Sequence, residues 1–129
     1  MGEIIIPESF SKECRDCTVI AIALAGNVKY EDAHKALKLC GRRDKHGIVV
    51  SKVIHKVCKI LNLEAKQVKR HGTISKFIRQ FPKGNFFCTE RGHAFTVIDG
   101  TVHNEDNLNR HLDGAWLISK TLNNSITSL

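Results

Sequence analysis

Gly92-His93-Ala94-Phe95-Thr96-Val97-Ile98-Asp99-Gly100-Thr101-Val102-His103-Asn104 reads as a β-hairpin. Asp99-Gly100 separates two apolar runs, and a two-residue type I′ turn needs positive φ at both central positions, which this pair supplies. The turn sets Ile98 against Thr101, Phe95 against Asn104 and His93 against Asp106. Along the first strand His93, Phe95 and Val97 share one face; Ala94, Thr96 and Ile98 share the other.

Outward from the hairpin, 85–89, 94–98, 101–104 and 115–120 read as strands, with a short one over 64–70. Toward the N-terminus the period changes. Cys17 opens the run Thr18-Val19-Ile20-Ala21-Ile22-Ala23-Leu24-Ala25, which is apolar almost all round and should form a buried central helix. Asp16 is placed to cap it, and Gly26-Asn27 suits its end. Further helices are expected over 30–39, over 51–61 with Ser51 as cap, and over 73–81, capped by Thr73 and stopped by Pro82. The stretch to Lys12 reads as an extended arm and 41–47 as a charged loop. Helices first and antiparallel strands after predict an α+β fold, with the Cys17 helix buried against a C-terminal antiparallel sheet.

The chain has 129 residues, 42% hydrophobic and 26% charged, which predicts one domain over 1–129. Glu3 stands where a secretory leader would be basic, and no stretch is long enough to span a bilayer. Five cysteines at irregular spacing argue against a disulfide framework, so a reducing, cytoplasmic setting is expected. The net charge of +7 reads chiefly as a lysine-rich solvated face: Lys35, Lys38, Lys45, Lys52, Lys56, Lys59, Lys66, Lys69. The competing reading, attraction to nucleic acid, finds no recognised binding motif.

Two residue types in this pattern carry chemistry. A thiol titrates near 8.5 and needs help to ionise at neutral pH. A helix N-terminus and an imidazole partner both give that help. Cys17 begins the buried helix and His93 begins a strand, so they are the candidate nucleophile and base. Cys40, Cys58 and Cys88 read as small buried hydrophobes, and His34, His46, His55, His71, His103 and His111 as structural histidines. Hairpin register makes Asp106 the nearer neighbour of His93, while Asn104 shares its face diagonally. Either could accept the Nδ1 proton and turn Nε2 to the thiol.

The segments Asp16-Cys17-Thr18-Val19-Ile20-Ala21-Ile22-Ala23 and 92–104 together resemble the small papain-like cysteine proteases of bacteria and their phages. That resemblance implies a papain-like fold and a thiol peptidase or isopeptidase with Cys17 as nucleophile, His93 as base and Asn104 as orienting residue. It implies no cofactor, and a peptide or protein substrate. The chain departs from papain itself at Ser11, where papain has an oxyanion-binding glutamine, and at Thr18, where papain has tryptophan. The oxyanion donors are then expected to be the Cys17 amide with Ser11 or a neighbouring amide.

Three other readings compete. Cys14-Arg15-Asp16-Cys17 has redox-motif spacing, but the strand that should precede it is broken by Pro7. A structural zinc lacks a second closely spaced pair. A papain-fold binding protein that contacts nucleic acid or a host protein would keep the fold without the chemistry.

Overall fold

The computed structural model describes residues 17–40, 50–69, 72–90 and 93–121. In chain order these form α1 (Cys17–Gly26), α2 (Tyr30–Leu39), α3 (Val50–Ile60), β1 (Leu63–Gln67), α4 (Ile74–Gln80), β2 (Asn85–Glu90), β3 (His93–Ile98), β4 (Thr101–His103) and β5 (Gly114–Lys120). The five strands make one antiparallel sheet in the order β1-β5-β2-β3-β4. This is the expected α+β class, and the short strand and helix expected over 64–70 and 73–81 appear as β1 and α4, interleaved between the first three helices and the remaining strands.

The strands carry little polar alternation because both faces of the sheet are covered. On one face Phe87, Ala94, Trp116 and Ile118 pack with α1, α2 and α3. On the other, Phe86, Cys88, Phe95, Val97 and Ala115 pack with Ile74 and Phe77 of α4 and with Leu112. α4 begins as its sequence demands, with the Thr73 hydroxyl accepting the Lys76 amide at 3.2 Å.

α1 is buried along nearly its whole length. It stops at Asn27, whose φ of 53° allows the Val28 amide to return to Ala23 O at 3.0 Å, a Schellman closure. The sheet holds the helix at evenly spaced points. The Ala94 amide donates to Cys17 Sγ at 3.2 Å, the Thr96 hydroxyl to Ala21 O at 2.8 Å, and the Asn85 side-chain amide to Ala25 O at 3.1 Å. Asn85 lies opposite Ile98, so the three levels on β3 are residues 94, 96 and 98. Four helical residues rise about 6 Å and two strand residues about 6.8 Å, so helix and strand keep step over two repeats.

The hairpin turn has the expected form. Asp99 has φ 46° and Gly100 φ 82°, and Ile98 pairs with Thr101. Asp99 is also tied to the start of β2, accepting the Gly84 amide at 2.8 Å through Oδ1. Some boundaries move: α3 begins at Val50, so Ser51 lies inside it, and β2 runs on to Glu90. Lys35, Lys38, Lys56, Lys59, Lys66 and Lys69 are all exposed, while the side chains of Lys45 and Lys52 lie outside the described residues. Among the described residues no helix is long and apolar enough to cross a membrane.

Candidate active site

Cys17 is the first residue of α1 and is 7% exposed. Its contact with Ala94 follows from where β4 stops. A two-residue hairpin makes Ile98 and Thr101 a hydrogen-bonded pair, so Ile98, Thr96 and Ala94 turn their amides toward the β4 side. The β4 ladder ends with His103 opposite Thr96. One step further the Ala94 amide meets the Cys17 sulfur instead of a strand. The sulfur thus meets a backbone donor at the first turn of α1. The Ala94 nitrogen is two bonds from the His93 Cα, so the sulfur lies within about 6 Å of that atom.

His93 opens β3 directly opposite Glu90. Its ring lies alongside Phe95, with centroids 6.2 Å apart and planes 18° from parallel. Strand parity therefore puts the ring on the α4 side, while Cys17 comes from the α1 side; the two flank the first peptide of β3 at its open edge. His93 Nε2 lies 2.8 Å from the backbone carbonyl of Asn104. A carbonyl only accepts, so Nε2 carries hydrogen and Nδ1 is the basic nitrogen of the neutral ring.

The contact differs from the sequence-based expectation in two respects. It is Nε2, not Nδ1, that meets residue 104, and the group it meets is the Asn104 backbone carbonyl where the side-chain amide was expected. Asn104 sits just past β4 with φ 69°, a conformation asparagine tolerates better than most residues, and that bend aims the carbonyl at the ring. Because β4 ends at His103, the register that would set Asp106 opposite His93 is not continued, and Asp106 is exposed.

Glu105 stands beside the ring, with Oε1 3.8 Å from Nε2 and Oε2 accepting the Asn107 amide at 2.8 Å. Glu90, opposite His93 on β2, is 3% exposed and lies 3.7 Å from Arg110 Nη1. Burial pushes Glu90 above the ordinary carboxyl range, and the hydrogen bond and charge of Glu105 add to this, against smaller opposing effects of Arg110 and His93. Burial also works to raise Glu105, but the hydrogen bonds from Glu90 and the Asn107 amide, with the His93 and Arg110 charges, carry it below that range. Beside the pair opens a cleft of ≈ 390 Å³ lined by Glu90, Asn107, Arg110, His111 and Asp113.

Sequence reasoning missed both acids. Glu90 was legible: Arg91-Gly92 leaves two residues between β2 and β3, which places Glu90 opposite His93 by the same rule used at Asp99-Gly100. Glu105 had no such signal, because the bend at Asn104 brings it in. Of the other cysteines, Cys58 and Cys88 are buried as expected, and burial pushes the Cys58 thiol up to about 12 and the Cys88 thiol higher still. Ser11, Cys14, Asp16 and Gly92 lie outside the described residues, as do the contributions expected of them. Among the described residues no group of three or more His, Cys, Asp or Glu could hold a metal ion. Comparison of the chain with protein-family models, curated proteins and solved structures finds no match.

Proposed function

We propose that this chain is a thiol-dependent hydrolase of peptide or isopeptide bonds, in the manner of the papain-like cysteine proteases its sequence resembles. The observation that supports this most directly is the 3.2 Å contact of Cys17 Sγ with the amide next to His93, at the edge where the Asn104 carbonyl holds the ring. In the proposed reaction His93 Nδ1 takes the thiol proton and Cys17 sulfur attacks the substrate carbonyl. The imidazolium then gives its proton to the departing amine, and a water activated by the same nitrogen releases the acyl group from sulfur. The Asn104 carbonyl keeps the Nε2 proton and so the ring's orientation, and the Cys17 backbone amide faces the developing oxyanion.

The test is to expose the intact protein to a panel of acyl-donor probes carrying peptide and isopeptide mimics, and to locate the adduct by mass spectrometry. The reading requires a thioester or thioether at Cys17 that is lost in His93→Ala. Uniform slow labelling of all exposed thiols, with no dependence on His93, favours a binding protein with a similar fold.

A further inference from the structure

β1 is the outermost strand of the sheet at the end opposite β4, and so away from Cys17 and His93. Among the described residues no strand pairs with its outer edge. The ladder to β5 decides which backbone groups face outward. The Val68 amide donates to Ala115 O and the Thr121 amide to Asn62 O, one step beyond each end of the pairing from Leu63↔Lys120 to Gln67↔Trp116. Inward and outward positions alternate along an antiparallel strand, so Asn62, Glu64, Lys66 and Val68 turn their amides and carbonyls to β5. Leu63, Ala65 and Gln67 turn theirs outward. Side chains alternate by the same count. Leu63 and Ala65 pack on the α1 side of the sheet; Glu64 and Lys66, both exposed, stand on the α4 side with Val68.

An edge of this kind accepts a further strand, and a lysine on it is a common guard against that. Here an acid two residues earlier matches the lysine, and the match decides what fits. A second copy related by a two-fold axis runs antiparallel to the first. With Ala65 opposite its own counterpart, Leu63 meets Gln67, and each of these pairs exchanges two backbone hydrogen bonds. Glu64 then faces Lys66 in both halves of the joint, at the closer spacing of a non-hydrogen-bonded pair. Sliding the copy two residues either way keeps the hydrogen bonding in phase but sets Glu64 against Glu64 or Lys66 against Lys66. The charges therefore select one register.

We propose that β1 is the interface of a homodimer in which two copies pair antiparallel about Ala65 and join their sheets into one. The joint leaves the Cys17 edge open and does not rest on the hydrolase reading. Strands of 5 residues bury less than the roughly 1,200 Å² of a standard interface, so the dimer is weak, with a dissociation constant on the order of 10–500 μM.

The experiment is sedimentation velocity of the full chain over a concentration series reaching about 1 mM, above that constant. The wild type should pass from monomer to dimer across the series. Glu64→Lys and Lys66→Glu each turn both attractive pairs into like-charged ones, so each alone should weaken the dimer about tenfold. Mixed in equal amounts, the two variants should recover wild-type association, because in the mixed pair every lysine meets a glutamate. A chain that stays monomeric throughout leaves the edge to solvent or to an extended segment of another protein, and overturns the proposal. So does a dimer that neither charge variant weakens, or a mixture that associates no better than its components.

Ala65→Pro supplies the second arm. The N–H it removes is an outward one, so the β5 ladder keeps its bonds while the second copy loses a donor and meets the ring. The variant should stay monomeric at concentrations where the wild type is dimeric. A folded proline variant that dimerises like the wild type overturns the proposal; if proline prevents folding, the mixture of charge variants decides by itself.

Discussion

The amide of Ala94 donates to the sulfur of Cys17 where the β4 ladder has run out. A short strand thus leaves an amide for the thiol, and β3 presents that amide and the His93 ring from neighbouring residues.

Cys17 should be the fastest-reacting of the described thiols. Burial holds the Cys58 and Cys88 thiols up and out of reach, so at pH 7 iodoacetamide should modify them only on unfolding. Peptide mapping after timed alkylation gives the ranking. If the proposed pairing of thiol and imidazole holds, His93→Ala should slow the Cys17 reaction about tenfold. Equal rates in variant and wild type would separate the thiol from the histidine.

Asn104 should tolerate glycine better than valine. The ring needs the carbonyl at this position, and the backbone needs φ 69°, which glycine adopts freely and a β-branched residue resists at a cost of about 1–3 kcal/mol. Cys17 alkylation and thermal unfolding in Asn104→Gly and Asn104→Val measure this. A folded glycine variant as slow as the valine variant would return the orienting role to the side chain.

The two carboxyl groups pull the stability–pH curve from opposite ends. Glu105 is lowered in the fold, so the stabilisation it contributes is complete above its unfolded value of about 4.3 and is lost as pH falls through the lower folded value. Glu90 is raised, so its contribution is complete below about 4.3 and is lost as pH rises through the higher folded value. Glu90→Gln removes the second loss. Its melting temperature relative to wild type should therefore rise with pH on the alkaline side of the raised Glu90 value. A difference independent of pH would contradict the raised Glu90 value.

Thr96→Val deletes the hydroxyl that donates to Ala21 O while keeping the side chain's shape. The carbonyl keeps its place in the helix, so the cost should be about 1 kcal/mol, or roughly 4 °C in the melting temperature of a chain this size. Calorimetry at one pH is enough to read it. No loss would show that packing alone seats the helix.

The sequence made the hairpin legible because Asp99-Gly100 fixes both turn geometry and register, and it made α1 legible because an all-round apolar helix has to be central. It placed Cys17 and His93 at the starts of adjoining elements for the same reasons. The nitrogen assignment was not legible, since it depends on Asn104 leaving the strand conformation one residue after β4, a backbone event without a pattern in composition. Asp106 looked like a neighbour of His93 only while the ladder was assumed to continue. Glu90 was hidden because the expected strand over 85–89 stops one residue short of it.

The three hydrogen bonds from the sheet to Cys17, Ala21 and Ala25 work like a rack meeting a pinion. A slide of α1 along β3 stretches all three bonds together, and one full tooth of about 6 Å would leave an end donor without its acceptor. The sulfur therefore has one resting place along β3. Deleting a residue between 17 and 25 would turn the helix by about 100° and carry the sulfur off that line. Asn104 and Glu105, by contrast, are borne on irregular chain beyond the end of β4 and stand outside this three-point register.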